Sequence, residues 1–254
     1  MTQTIAVSSQ KGGVAKTTTC LSLGASLSEM GHFVLLVDLD PQAHLTLSIG
    51  LTPKELRRTV GDVLLGNNSL LSVSRESSVQ GLDIVPANQR LVILEKVLQG
   101  RPDFQFQLKN GLQSLGDDFY DFILIDCPPS LGALTLNALT AANLLIIPVQ
   151  CEYFAAHTLL NYRKLVEYMR KKTNPRLKYR VLVTMYDRRN KICQVTLEQM
   201  QRGLNRVLFE TIIEVDTKLR ESPTLGQPIT LYAPTTRGAE QYRALAKELL
   251  NNGQ

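Results

Sequence analysis

The stretch Lys11-Gly-Gly-Val-Ala-Lys-Thr-Thr18 follows the apolar run Ile5-Ala-Val7 and precedes a helical pattern. This order predicts a strand, a phosphate-binding loop and the start of a helix in direct succession. Glycines let the backbone turn tightly near phosphate oxygens, and the N–H groups at the helix start supply an anion site. We expect Lys16 to reach the β and γ phosphates of a nucleoside triphosphate and the Thr17 hydroxyl to ligate Mg²⁺.

The loop departs from the usual pattern at one position. Glycine normally precedes the lysine, but Ala15 stands there, so the strict G-x-x-x-x-G-K-[ST] pattern is not met. The additional methyl group matters only if residue 15 needs a positive φ angle. Taken alone, the loop could also be a glycine-rich turn without a ligand.

Two further apolar runs end in carboxylates, and they favour the nucleotide interpretation. They are Phe33-Val-Leu-Leu-Val-Asp38 and Phe122-Ile-Leu-Ile-Asp126. Ligands of open parallel sheets lie beyond the carboxyl ends of the strands, where we expect Asp38, Asp40 and Asp126 to project. A carboxylate there can hold the water shell of Mg²⁺, because this ion keeps several waters in protein sites.

Six segments together resemble the ParA/MinD group of deviant Walker-type P-loop ATPases, and specifically its ParA/Soj branch. Their order and spacing match nearly end to end. The segments are Lys11-Gly-Gly-Val-Ala-Lys-Thr-Thr18, Val37-Asp-Leu-Asp-Pro-Gln42, Ile125-Asp-Cys-Pro-Pro-Ser130, Pro148-Val-Gln-Cys-Glu-Tyr153, Thr184-Met-Tyr-Asp187 and Arg237-Gly-Ala-Glu240.

The resemblance implies slow Mg²⁺-dependent ATP hydrolysis that dimerisation and a partner protein stimulate. Lys16 would act in cis, and Lys11 would reach the phosphates bound by the partner subunit in an ATP-sandwich homodimer. Asp40 would orient the attacking water, and Asp40 and Asp126 would support Mg²⁺ through water. The residues expected to bind ATP are Lys11, Gly12, Gly13, Val14, Ala15, Lys16, Thr17 and Thr18.

Three further roles concern the neighbourhood of the loop. Asp38 could share the outer shell of the metal or cap the end of its strand, and the sequence leaves both open. The resemblance suggests that Glu152 pairs with Lys11 before the dimer forms. It also implies that dimerisation buries the segment Ser130-Leu-Gly-Ala133.

The chain length and composition suit one α/β domain over residues 1–254. It has 254 residues and 44% hydrophobic composition, and single cores reach about 250 residues before they split. Strand-like runs alternate with helix-length segments, which predicts a P-loop NTPase fold: a mostly parallel twisted sheet with helices on both faces. The runs cover residues 5–8, 34–38, 82–85, 122–126, 144–149 and 181–184, with an irregular segment at 51–88 and a last helix at 238–250.

The cysteines and the hydropathy exclude several classes of protein. The four cysteines have no C-x-x-C spacing and are interpreted as reduced cytosolic thiols. Cys127 invites an iron–sulfur hypothesis, but a small buried residue is the preferred interpretation. No run reaches the roughly twenty apolar residues that span a bilayer, and we expect no stable membrane anchor after the last helix.

Basic residues are concentrated in one region. Residues 160–220 hold fifteen Lys or Arg and six Asp or Glu, a net charge of +9, whereas the whole chain has +5. Such asymmetry is typical of polyanion binding, although a solvated helix face is the alternative. The resemblance places non-specific DNA contacts at Arg189 and Lys218. Glu214 and Asp216 weaken the second position, and Arg220 could compensate if it faces the same way.

The leading hypothesis is a cytoplasmic, nucleoid-associated partitioning ATPase. Its ATP-bound homodimer would bind double-stranded DNA without sequence preference, and a ParB-like or other adaptor would stimulate hydrolysis. The cargo could be a plasmid, a chromosome origin or a large cytoplasmic body such as a carboxysome. A MinD-like membrane-cycling division regulator and a metabolic P-loop ATPase are the alternatives.

Overall fold

A computed structural model describes residues 2–116, 119–152 and 155–251. These residues form one seven-stranded sheet with the order β3-β4-β2-β5-β1-β6-β7. The strands are β1 Gln3–Val7, β2 Val34–Asp38, β3 Arg75–Glu76, β4 Leu82–Val85, β5 Phe122–Asp126, β6 Leu144–Val149 and β7 Lys178–Val183. The two-residue edge strand β3 pairs antiparallel with β4, and the other pairs are parallel. The predicted mostly parallel sheet is confirmed.

Helices lie between most successive strands, and four more follow β7. They are α1 Lys16–Glu29, α2 His44–Ser48, α3 Val60–Leu64, α4 Leu70–Val73, α5 Leu91–Gln99, α6 Gln107–Gln113, α7 Ala133–Ala141, α8 Ala155–Lys172, α9 Lys191–Leu204, α10 Thr217–Glu221, α11 Ile229–Tyr232 and α12 Arg237–Asn251. Three short 3₁₀ turns lie at Pro53–Glu55, Phe104–Phe106 and Ser222–Leu225. No helix among the described residues has the length and apolar character to cross a membrane.

The core has two layers, one on each face of the sheet. In β2, Val34 and Leu36 belong to one hydrophobic cluster and Leu35 and Val37 to the other, because successive side chains of a strand point to opposite faces. Helices α1 and α12 pack in the first cluster, and α7 and α8 pack in the second. Helices therefore cover both faces, as predicted.

Two predicted strands begin too late. The strand predicted at 181–184 is Lys178–Val183, and the one predicted at 5–8 is Gln3–Val7. Their first residues are polar or half-exposed, so a search for apolar runs misses them, although the backbone pairs with the neighbouring strand. The last helix, Arg237–Asn251, is one residue longer at each end than predicted.

Two glycines bring α2 and the turn Ser222–Leu225 into backbone contact. Gly226 ends that turn with φ +66°, and a Cβ there would lie 2.8 Å from the Cα of Gly50. Both a left-handed backbone and direct contact between main chains require glycine. This contact holds the turn against the end of α2.

We expect Gly226→Ala to lower the free energy of unfolding by about 2–4 kcal/mol, because left-handed strain adds to the clash with Gly50. Gly66→Ala is the matched control, since Gly66 has φ +78° and its added Cβ meets nothing within 4 Å. The control should lose only about 1–2 kcal/mol, from backbone strain alone. Urea unfolding measures both, and equal losses would show that the backbone contact contributes nothing.

Candidate nucleotide-binding site

The phosphate loop joins β1 to α1 with two left-handed residues, Gly13 at φ +72° and Ala15 at φ 64°. Ala15 stands at the N-cap of α1 and gives its side chain to no capping hydrogen bond. The first N–H groups of a helix lack partners within the helix, so they can bind an anion. The condition under which the Ala15 methyl group matters, a positive φ angle, is therefore met.

Lys16 is buried, and its ammonium group has one hydrogen bond. The residue is 8% exposed, and its Nζ donates one hydrogen bond of 3.3 Å to the carbonyl oxygen of Lys11. The charges of Lys16 and Asp126 interact, but among the described residues no carboxylate forms an ion pair with Lys16. A buried charge is unfavourable unless it is paired, and a phosphate bound against the loop would pair with Lys16.

Asp126 and Thr17 meet at the end of β5. Thr17 Oγ1 donates to Asp126 Oδ2 at 2.6 Å, whereas the buried Asp126 Oδ1 has no hydrogen-bond partner among the described residues. Burial, together with the nearby charge of Asp38, raises the pKa of the Asp126 carboxyl well above its usual range. A buried carboxylate with an unused oxygen beside a hydroxyl fits Mg²⁺ bound partly through water.

Asp38 has a different environment, although its Cα pairs with that of Asp126. Its Oδ1 accepts from the Asp40 N–H at 3.0 Å, and its Oδ2 accepts from Thr46 N at 2.9 Å and Thr46 Oγ1 at 2.7 Å. Burial raises the pKa of Asp38 to about 7. These bonds tie the end of β2 to α2, so the geometry favours the strand-end role over the metal's outer shell.

A cavity of about 420 Å³ opens beside the loop. Most of the predicted ATP-binding residues line it, namely Gly12, Gly13, Ala15, Lys16, Thr17 and Thr18. Asp40 lines it too, with its Oδ1 accepting from the Gln42 N–H at 2.9 Å. The apolar side chains of Ile213, Val215 and Leu219 line the same cavity. Phosphate-binding and apolar surfaces thus share one cavity.

Two predicted ATP-binding residues do not line this cavity. Val14 is buried, and its carbonyl accepts from Thr184 Oγ1 at 3.1 Å. Lys11 turns to the loop after β6, where its Nζ donates to Gln150 Oε1 at 2.8 Å and forms an ion pair with Glu152. The predicted contact between Lys11 and Glu152 is therefore present. The sequence interpretation missed Gln150, although it follows the carboxyl end of a parallel strand, as Asp126 ends one.

The three residues predicted to contact DNA have different surroundings. Arg189 pairs with Asp187 at 3.1 Å, and Lys218 pairs with Glu221 at 2.7 Å. Arg220 instead lines the nucleotide cavity. Its DNA contact stays a prediction, and its position is taken up again below.

The buried carboxylate of Glu214 pairs with two further arginines beyond the carboxyl ends of the strands. Glu214 accepts from Arg188 Nε at 2.9 Å and pairs with Arg237 Nη1 at 3.0 Å. Backbone pairing between Tyr186 and Glu214 brings the two loops together. We define the carboxyl-end cluster as Arg188, Arg189, Lys218 and Arg237. The sequence pattern does not place Arg237 in this cluster, because Arg237 lies outside the basic region 160–220.

The basic region is divided by β7. The carboxyl-end cluster follows the strand or packs against the loops beyond it, whereas a second group precedes the strand: Arg170, Lys171, Lys172 and Arg176. A six-residue strand spans about 20 Å. The basic residues of 160–220 therefore include two groups, one at each end of β7.

The left-handed loop, the buried lysine and the acidic strand ends define a P-loop nucleotide-binding protein. A family model described as an AAA domain matches residues 2–179. The chain is 40% identical over 254 residues to the sporulation initiation inhibitor protein Soj of Bacillus subtilis, covering 100% of both chains. It is 35% identical to the chromosome partitioning protein ParA of Caulobacter vibrioides, covering 97% of this chain and 93% of that one. The chain belongs to the Soj/ParA family of P-loop ATPases.

A further relative agrees with this assignment, and a solved structure agrees with the fold. The chromosome-partitioning ATPase Soj of Treponema pallidum is 41% identical, with 98% of each chain covered. A crystal structure of cobyrinic acid a,c-diamide synthase from Mycobacterium smegmatis with bound ADP and magnesium is 37% identical. It has a TM-score of 0.87 and the match covers 100% of this chain and 96% of that one. The predicted P-loop ATPase fold and the ParA/Soj resemblance are confirmed.

Replacing Ala15 by glycine should stabilise the protein by about 1 kcal/mol, because glycine removes the left-handed strain. Ala43→Gly is the matched control, since Ala43 has φ 54° at the N-cap of α2. We expect similar unfolding free energies for the two variants and an unchanged ADP affinity in both. A higher ADP affinity in Ala15→Gly alone would show that the methyl group hinders phosphate binding.

Asp126→Asn should remove the increase in ADP affinity that Mg²⁺ produces and leave metal-free ADP binding intact. Asp38→Asn is its partner variant. It should keep the Mg²⁺ effect but lower the free energy of unfolding by about 1–3 kcal/mol, because its amide N–H group would face the Thr46 N–H. Calorimetric titration with and without Mg²⁺ separates the two. Loss of the Mg²⁺ effect in Asp38→Asn would assign Asp38 to the metal as well.

Proposed function

We propose that residues 1–254 form a single partitioning ATPase domain that dimerises around ATP and Mg²⁺. In the ATP-bound state the dimer binds double-stranded DNA without sequence preference, and hydrolysis stimulated by an adaptor releases it. The names of the Soj and ParA relatives support this function.

The observation that carries the proposal is the different placement of two lysines from one loop. Lys16 lies buried in the cavity, whereas the side chain of Lys11 is 44% exposed and pairs with a 52% exposed Glu152. Exposed ion pairs contribute only about 0–1 kcal/mol. Lys11 can therefore leave Glu152 at little cost when the phosphates of a partner subunit approach.

Each predicted catalytic or metal-binding residue then has a defined role. Phosphoryl transfer depends mainly on positioning and on neutralising charge. Lys16 provides positive charge in cis, and Lys11 adds it from the other subunit, as an arginine finger does. Thr17 binds Mg²⁺ directly, Asp126 and Asp40 support it through water, and Asp40 orients the attacking water.

The carboxyl-end cluster is the proposed DNA surface. It lies on the same side of the sheet as the nucleotide cavity, because both lie beyond the carboxyl ends of parallel strands. The side chains of Arg188 and Arg189 are 71% and 89% exposed, so DNA phosphates can replace their local acidic partners. Phosphate contacts give no base preference, and log affinity falls by about 0.9 per contacted phosphate per log unit of salt.

The proposal places the protein in the cytoplasm on the nucleoid, with a ParB-like or other adaptor as its partner. A plasmid, a chromosome origin or a large body such as a carboxysome would be the cargo. The metabolic alternative takes support from the name of the similar M. smegmatis protein. A MinD-like membrane cycle is the other alternative.

Binding to random-sequence duplex DNA without nucleotide, with ADP and with a non-hydrolysable ATP analogue separates these functions. Over a salt series, we expect tight and salt-sensitive binding only with the ATP analogue. Equal or absent DNA binding in all three states would contradict the proposal. ATP-dependent binding to anionic liposomes would then favour the membrane cycle, and its absence the metabolic function.

We expect Lys11→Ala to retain nucleotide affinity as a monomer but to form no dimer with the ATP analogue, because Lys11 lies outside the cavity of its own subunit. Glu152→Gln serves as the comparison. It removes the competing carboxylate, so its dimer should form at equal or lower protein concentration than wild type. Sedimentation velocity measures both, and a normal ATP-bound dimer of Lys11→Ala would remove the trans role.

A further inference from the structure

Arg220 lines the nucleotide cavity together with the phosphate loop. Arg220 belongs to the segment after Glu214, whose backbone pairs with that of Tyr186. Val215 and Leu219 of the same segment also line the cavity. The phosphate loop, with Lys16 and Thr18, lines the same cavity. Arg220 therefore shares this cavity with the lysine that the motif assigns to phosphate binding.

The phase of α10 separates Arg220 from Lys218. The helix spans Thr217–Glu221, and residues two apart in a helix differ by about 200° and do not share a face. Lys218 uses its face to bond Glu221 at 2.7 Å and to lie 5.7 Å from the centroid of the Tyr232 ring. Arg220 therefore cannot extend the same surface as Lys218.

Arg220 is also unpaired, unlike the charged residues around it. Lys218 and Glu221 pair with each other, Glu214 holds two arginines, and Asp216 accepts from the N–H groups of Lys218 and Gly238 at 2.9 Å each. Within the described part of the chain, Arg220 makes no hydrogen bond or ion pair. A free guanidinium beside a cavity built for an anion has a ligand of opposite charge available.

We propose that Arg220 is a nucleotide-binding residue whose guanidinium contacts the α-phosphate, which ADP and ATP share. The apolar side chains of Ile213, Val215 and Leu219 line the same cavity and suit the base. Arg220 directly follows Leu219, so its guanidinium is placed to meet the phosphate nearest the base, whereas the loop and Lys16 bind the β and γ phosphates. An arginine contact to phosphate is charge-assisted and can be bidentate.

This assignment gives the two basic residues of α10 different ligands. Arg220 contacts the nucleotide, and Lys218 on another face of the helix belongs to the carboxyl-end cluster. The DNA contact of Lys218 rests on the proposed function, whereas the nucleotide contact of Arg220 does not.

The test compares Arg220→Ala with Lys218→Ala. Arg220→Ala should weaken both ADP and a non-hydrolysable ATP analogue by about tenfold in calorimetric titrations, as expected for a lost charge-assisted hydrogen bond. Arg220→Lys should lie between that variant and wild type, because it keeps the charge without the fork. Lys218→Ala should bind both nucleotides as wild type does. Circular dichroism checks that each variant is folded.

DNA binding is then measured with each variant saturated by the ATP analogue. Arg220→Ala should bind DNA as wild type does, whereas Lys218→Ala should bind more weakly. Unchanged nucleotide affinity in Arg220→Ala would overturn the proposal, as would weaker DNA binding at saturation, which would make Arg220 a DNA contact. A loss confined to the ATP analogue would overturn the assignment to the α-phosphate. If neither the wild type nor any variant binds DNA, the proposed function fails. The nucleotide titrations still test whether Arg220 binds the nucleotide.

Discussion

The site depends on a buried positive charge that has no ion-pair partner among the described residues. Lys16 is 8% exposed, and its one hydrogen bond goes to the Lys11 carbonyl at 3.3 Å. The buried Asp126 nearby keeps one oxygen unpaired. A phosphate and a divalent cation satisfy both groups together, so nucleotide binding completes the electrostatics of the fold.

Side chains of the same type at this site differ in how fully they are paired within the subunit. Asp126 and Asp38 end neighbouring strands. Asp126 has one oxygen without a hydrogen-bond partner among the described residues, whereas Asp38 accepts hydrogen bonds from three nearby donors. Lys16 lies inside the cavity, whereas Lys11 of the same loop pairs at the surface. A group that is fully bonded within its subunit holds the fold, and a group that is weakly bonded is available to a ligand or a second subunit.

Sequence patterns predicted the sheet and the loop because buried parallel strands are continuous apolar runs and a phosphate loop needs glycines at fixed spacing. The pair of Lys11 and Glu152 followed from a resemblance to a family. The φ angle of Ala15 could not be read from residue identity, since alanine is rarely left-handed. The orientation of Arg220 depends on the phase of a five-residue helix. The division of the basic region depends on where β7 begins, which its polar first residues conceal.

The central claim is that the two loop lysines serve different subunits, and mixing two defective variants tests it most directly. Lys11→Ala retains its own cis lysine, and Lys16→Ala retains the lysine that acts in trans. Each variant alone should hydrolyse ATP poorly. A mixture contains heterodimers with one complete site, so we predict that hydrolysis is partly restored at ratios near one to one. A mixture no more active than its components would contradict the claim.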